Sequence, residues 1–287
     1  MTKFGKMDAT NEKQWRGLGA KVTGATHVRN HLPCQDAIRI ESYGAYVVAA
    51  IADGHGSEAC PYSNEGSQAA VDCLHEIFAD IFMCVGTEAK AVIEDSRELR
   101  LPRQLAAQWR QRVEDIHHGA HDGEAFSYTL YGTTALCVVA SPEFIFALQL
   151  GDGDILAVSN DILSEEKDSL LGYWLIEPEH IPGNETYSLC MPNCWRYIRT
   201  HMIYSDACSQ EGDNEALTPD LIMLTTDGYY NSFIADDGFV KAGADIFKLL
   251  QTEGTEYILE NLEGWLESSS NEGSGDDIAM AIVYMQK

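Results

Sequence analysis

The sequence predicts an α+β fold with its elements in layers rather than a strictly alternating β-α-β chain. Short aliphatic and β-branched runs come in clusters, bounded mostly by Gly, Pro, Asp or Asn. Stretches of helical period come as pairs, one after the second run and one before the last. With 287 residues, 45% of them apolar, the chain can bury a sizeable core without disulfides.

The polar stretch 1–15 reads as a frayed N-terminal segment, and 16–287 as a single domain with no linker or internal repeat. Strand-length runs fall at 21–26, 45–52, 133–140, 144–150, 155–159, 221–226 and 278–284. Residues 65–84 carry Ala70, Leu74, Ile77, Phe78 and Ile81 on one helical face. Residues 102–118 open on a proline and repeat Leu105, Trp109, Val113 and Ile116 at the same period. Two further helices are expected at 245–250 and 257–266. The segment 161–216 holds three prolines, polar residues, cysteines and only short apolar pieces such as 173–176, which reads as a surface flap suited to touching a partner.

Charge narrows the function. A net charge of −26 repels nucleic acid and anionic membranes, so no nucleic-acid role is expected. No apolar run approaches the roughly 18–20 residues that span a bilayer. The eight cysteines form no dense framework and no secretory leader is visible, so the expectation is reduced thiols in a cytoplasm. An acidic protein can still bind an anionic substrate where metal ions neutralise its carboxylates.

One device repeats along the chain. An apolar run ends and an aspartate follows beside glycine or another acid: Asp53-Gly54-His55-Gly56, Gly151-Asp152-Gly153-Asp154 and Asp227-Gly228, with Gly275-Asp276-Asp277 at the start of the last run. Acids at strand ends converge from distant positions on one rim of a sheet. Clustered carboxylates repel, so their convergence requires a cation. Oxygen donors with no paired histidine or cysteine nearby favour Mg²⁺ or Mn²⁺ over zinc. Taken alone, Asp227-Gly228 is also a common turn, and Asp236-Asp237-Gly238 reads as a turn before a helix. The segment 151–154 also fits a hairpin, but it lacks the further acid and closing glutamate of an EF-hand. Asp53-Gly54-His55-Gly56 is more specific, because two glycines flank an imidazole beside a carboxylate.

In order along nearly the whole chain, these pieces resemble the PP2C (PPM) family of metal-dependent protein phosphatases. The resemblance is carried by Gly24-Ala25-Thr26-His27, Cys34-Gln35-Asp36-Ala37, Ala52-Asp53-Gly54-His55-Gly56, Gly66-Ser67, Tyr131-Gly132-Thr133-Thr134-Ala135, Gly151-Asp152-Gly153-Asp154, Thr226-Asp227-Gly228 and Gly275-Asp276-Asp277-Ile278-Ala279. The Cys-Gln-Asp-Ala variant looks like a bacterial branch. The resemblance implies a four-layer α-β-β-α sandwich with the metal site in a cleft at one end. It implies that Asp53 bridges two ions, that the Gly54 carbonyl completes the second, and that Asp227 and Asp276 hold the first. Asp152 matches the position that holds a third ion in some relatives, and reads alternatively as a tight turn. Two cations about 3.5–4 Å apart would acidify a bridging water, and the hydroxide would attack phosphorus in line. His55 is then the general acid for the serine or threonine leaving oxygen.

The segment before Asp36 departs from the family pattern. Relatives often carry glutamate in place of Gln35 and a phosphate-gripping arginine in place of His31. Arg29, two residues further back, becomes the candidate phosphate clamp because its planar fork fits phosphate, with a solvated loop arginine as the alternative. His27 in the same loop has similar status. Asp36 is expected to act through water, orienting the groups that touch metal, and Gln35 to offer only a neutral amide oxygen.

The resulting expectation is hydrolysis of phosphoserine or phosphothreonine on proteins, with a kinase or its substrate as partner. A catalytically weak phosphoprotein-binding or regulatory module and a small-molecule phosphoester hydrolase are the other readings. Cys190, Cys194, His201 and Cys208 lack the short paired spacing of zinc knuckles. His117, His118 and His121 are expected to cap or solvate a helix end, and Cys60 to pack as a small residue. Trp195 and Tyr197 fit either a substrate contact or burial against the sandwich.

Overall fold

From Ala135 to Ala140 every residue is buried, and the side chains divide alternately between two cores. Ala135, Cys137 and Val139 face one core, while Leu136, Val138 and Ala140 face the other. Side chains of a strand alternate in direction, so a sheet covered on both faces reads as an unbroken apolar run. The same division recurs along 47–52, 144–148, 155–158, 221–224 and 278–283. Three cores bounded by two sheets require four layers.

The computed structural model describes residues 14–160, 170–178, 186–205 and 218–286. In chain order these form β1 (Gln14–Val22), α1 (Ala25–Asn30), β2 (Ala37–Tyr43), β3 (Tyr46–Ala52), α2 (Ser63–Val85), α3 (Ala89–Ser96) and α4 (Arg100–Ala120). Next come β4 (Ala135–Ala140), β5 (Phe144–Leu150), β6 (Asp154–Asn160), β7 (Leu170–Trp174), β8 (Arg199–Tyr204) and β9 (Leu221–Thr225). The remainder is α5 (Asp227–Tyr230), α6 (Asp236–Thr252), α7 (Thr255–Glu272) and β10 (Ile278–Gln286).

One antiparallel sheet has the order β1-β10-β9-β6-β7 and the other β2-β3-β4-β5-β8. Helices α2 and α4 cover the second sheet through Leu74, Ile77, Phe78, Leu105 and Trp109, and α6 and α7 cover the first through Phe239, Ile246, Ile258 and Leu262. The expected α-β-β-α sandwich is therefore the observed fold. Small residues between the sheets, among them Ala49, Ala140, Ala147, Ala157, Ala279 and Ala281, let the two layers close. Among the described residues no helix is long and apolar enough to cross a membrane.

Several element boundaries differ from the sequence reading, each for a local reason. Of the strand expected at 21–26 only Lys21 and Val22 are extended, as the end of β1, which starts at Gln14 inside the segment read as frayed, while Ala25 and Thr26 open α1. Residues 1–13 lie outside the described residues. Trp15 anchors that start, 2% exposed, with its indole N–H donating to Ser141 O at 2.9 Å. Strand β2 escaped notice because Arg39 and Glu41 interrupt its apolar pattern; Arg39 pairs with Glu41 and Asp72 on the sheet surface. Asp236-Asp237-Gly238 is the first turn of α6 rather than a turn before it, with both acids at the helix's electropositive end. The region read as a flap supplies β7 and β8, while 161–169, 179–185 and 206–217, including Cys208, lie outside the described residues. His117 is buried rather than solvated, bonded to the Tyr131 hydroxyl at 3.1 Å and Glu124 O at 3.2 Å. The guanidinium groups of Arg103 and Arg196 lie over the Trp195 ring, 4.2 and 5.1 Å from its centroid.

Helix α2 passes so close to the loop before β4 that a Cβ on Gly66 would sit 1.9 Å from Tyr131 O. The Trp109 indole donates to Gly66 O at 2.9 Å from the neighbouring helix. Gly66→Ala is expected to destabilise the protein by about 1–3 kcal/mol through overpacking. Gly119→Ala, near the end of α4 with open space around it, is expected to be neutral or to stabilise by up to about 1 kcal/mol. Urea unfolding of the two variants checks the contrast, and equal midpoints would refute it.

Candidate active site

Strand β3 runs out at Ala52, and the backbone of Asp53 is then clamped by the next strand. Asp53 N–H donates to Thr134 Oγ1 at 2.9 Å, while Thr134 N–H and Thr133 Oγ1 each donate to Asp53 O at 2.8 Å. Gly54 bridges to Thr133, and His55 N–H donates to Gly132 O at 3.1 Å. A Cβ on Gly54 would meet Gln35 O and Ser63 O at 2.7 Å, so only glycine fits this turn.

Strand β9 delivers the second acid. Thr226 lies between them: its hydroxyl donates to Asp36 Oδ2 at 2.7 Å and accepts from Ala279 N–H at 2.9 Å. Asp227 opens α5, and Asn231 one turn on donates to its carboxylate at 2.9 Å. The third acid comes from the start of β10, where Asp277 N–H donates to Asp276 Oδ1 at 2.8 Å.

These segments meet in a cleft of about 260 Å³ lined by Asp53, Gly54, His55, Asp152, Asp227 and Asp276, with His27, Gln35, Gly56, Thr186 and Asp277 completing the wall. All five residues expected to touch metal, together with His55 and Gln35, are therefore brought together. Asp36 lies behind them, 2% exposed, and reaches the cleft through Thr226. Arg29 is not brought in. Its guanidinium donates to Thr26 Oγ1 at 3.1 Å, and it lines a separate groove with Glu267, Ser270 and Asn271. His31 ends α1 in a left-handed conformation, exposed to solvent.

The acids strain against one another electrostatically. Burial and the charges of Asp36, Asp227 and Asp276 hold the Asp53 carboxyl well above the usual range. Burial and Asp152 push Asp227 up to about 6, and burial raises Asp276 as well. Among the described residues no lysine or arginine lines the cleft to offset these charges. Burial lowers the proton affinity of His55.

A hard divalent cation fits this donor set, which is all oxygen apart from the two imidazoles and requires counter-charge. Among the described residues no three His, Cys, Asp or Glu side chains already close around one point. The fit lies in donor type and convergence rather than in a preformed cage.

Two further acids, Asp277 in the cleft wall and Asp154 outside its lining, had no role in the sequence reading. Asp277, 3% exposed, accepts from Gly24 N–H and Gln35 N–H, both at 2.6 Å, and is bonded to His27 Nδ1 at 2.9 Å. Its signal was the doubled acid of Asp276-Asp277, of which only the first was given a role. Asp154, fully buried, accepts from the Trp174 indole at 2.8 Å, and burial pushes it up to about 7.

The sequence matches the protein phosphatase 2C family over residues 23–267, and the chain belongs to that family. A comparison with curated protein sequences returns no match. Among solved structures, a bacterial serine phosphatase superposes with a TM-score of 0.58 at 13% identity, over 96% of this chain and 98% of that one. PppA, a regulatory component of T6SS in Pseudomonas aeruginosa, gives 0.59 at 15% identity over 95% and 98%. The catalytic domain of the serine/threonine phosphatase PstP, in complex with two manganese ions, gives 0.57 at 13% identity over 96% and 100%. At these identities the likeness is one of fold.

Carboxyls that bind protons more tightly folded than unfolded stabilise the fold at low pH and lose that contribution as pH rises. For Asp227 the window runs from its ordinary value of 3.8 to about 6, and for Asp154 to about 7. The metal-free protein is expected to melt several degrees lower at pH 8 than at pH 5.5, with Mn²⁺ recovering the loss at pH 8. Differential scanning calorimetry with and without chelator measures it; a higher metal-free melting temperature at pH 8 would contradict the electrostatic account.

Proposed function

We propose that the protein hydrolyses phosphoserine or phosphothreonine esters on proteins, with Mg²⁺ or Mn²⁺ held by Asp53, Asp227 and Asp276. The observation that carries this reading is the meeting of those acids with His55 in one cleft, at the strand ends of a protein phosphatase 2C fold. The Gly54 carbonyl would complete the set beside Asp53, and Asp152 would take a third ion. When bound, the ions supply counter-charge for the phosphoryl oxygens and acidify the attacking water.

The chain's own residues then have separable tasks. Thr133 and Thr134 fix the Asp53 backbone, and Asn231 restrains the Asp227 carboxylate. Asp36 holds Thr226, and through it the peptide that leads into Asp227. His55 faces the cleft two residues beyond Asp53, where it is placed to give a proton to the departing serine or threonine oxygen. The seven described cysteines are free thiols, which supports a reducing compartment such as a bacterial cytoplasm. The partner class is a phosphorylated protein, either a kinase or its substrate.

Phosphate release from a phosphothreonine peptide tests the reading. Activity is expected with Mn²⁺ or Mg²⁺ and absent in excess chelator, and Asp227→Asn is expected to lower it by at least ~100-fold. Peptide binding without turnover in both proteins would favour the regulatory-module reading, and turnover in chelator would sink the metal mechanism. His55→Asn should lower kcat on that peptide by about 10²–10⁴-fold. The loss should be far smaller on p-nitrophenyl phosphate, whose phenolate departs without a proton. Equal losses on both substrates would remove the general-acid role.

A further inference from the structure

Among the described residues no arginine or lysine lines the wall to donate to a phosphoryl group entering the cleft. What lines it instead is His27. The ring is held by Asp277, whose carboxylate takes the His27 Nδ1 bond at 2.9 Å together with the Gly24 and Gln35 amides. In the imidazolium form the opposite nitrogen, Nε2, is a second, charge-assisted donor.

The direction of Nε2 is fixed by the space around Gly56. A Cβ placed on Gly56 would lie 3.7 Å from His27 Nε2 and 2.5 Å from Gln35 Oε1. Both groups therefore border one small space that exists because residue 56 has no side chain, and Gly56 lines the cleft with Asp53 and Asp276. Gln35 is 7% exposed and its Oε1 is buried without a hydrogen-bond partner. A buried orphan amide is costly and calls for a ligand or water. Half a turn about its terminal bond exchanges the oxygen for an NH₂ donor in the same place.

We propose that His27, oriented by Asp277, grips the phosphoryl oxygens of the substrate, with the Gln35 amide as its neutral companion. The pair occupies the role that the sequence suggested for Arg29, whose side chain turns to Thr26 instead. The proposal rests on the phosphatase reading above. Asp277 touches neither substrate nor metal in this account and is a positioning residue.

The test uses the full chain loaded with Mn²⁺, titrated calorimetrically with inorganic phosphate and assayed on a phosphothreonine peptide. His27→Ala is expected to raise the phosphate Kd and the peptide KM by about 10–100-fold, the loss of one charged hydrogen bond, while kcat changes only a few-fold. His27→Gln, which keeps a donor for Asp277 but brings no charge to the cleft, should remain folded and show the same rise. Unchanged Kd and KM in a folded His27→Gln, or a rise on Arg29→Ala in their place, would overturn the proposal while leaving the phosphatase reading intact. If the wild type binds phosphate but does not turn over, the hydrolase reading fails and His27 stands or falls on the Kd ratio alone. If the wild type neither binds phosphate nor turns over, both fall.

Discussion

Repulsion among carboxylates organises this molecule. Asp53, Asp152, Asp227 and Asp276 come from four separate strand ends and meet in one cleft that, among the described residues, offers no lysine or arginine. Apolar layers hold the strands in place, so the acids cannot spread apart without disturbing the cores behind them. The protein therefore stores an unfavourable charge arrangement at one rim, and its raised carboxyl proton affinities are the visible sign. A divalent cation in the cleft would relieve that arrangement, and binding and fold stability would then be two aspects of one balance.

Behind the acids, backbone approaches closer than any side chain would permit keep the rim in register. Gly24 lies against the backbone of Asp276, and Gly228 against Asp277 O. Asp277 adds a polar tie, joining both ends of the segment 24–35 to the start of β10. The segment that departs most from the family pattern is thus anchored at the position where the sequence repeats an acid.

Much of this was legible beforehand, for a physical reason. Strands buried on both faces leave continuous apolar runs, and an aspartate that ends such a run stands out. Asp53, Asp152, Asp227 and Asp276 were found in that way, and the cleft contains all of them. What escaped was amphipathic or relational. Strand β2 carries Arg39 and Glu41 on its surface, so its pattern is broken; β7 and β8 are edge strands in a stretch rich in prolines and polar residues. The direction of Arg29 depends on a bond to Thr26 that spacing does not encode. The partnership of His27 with Asp277 joins positions 250 apart in the chain, and no local pattern announces it.

The pairing of β1 with β10, from Gln14 opposite Gln286 to Val22 opposite Ile278, bears on how the molecule comes into being. A ribosome delivers Asp53 long before Asp276, and β1, an edge strand whose neighbour in the sheet is β10, has no strand partner until β10 emerges. Sheet closure is then a late, non-local event of the kind that folds slowly. Until β10 has emerged the charged rim stays dispersed, so a chain made only part of the way to Asp276 has no assembled cleft in which to trap a cation.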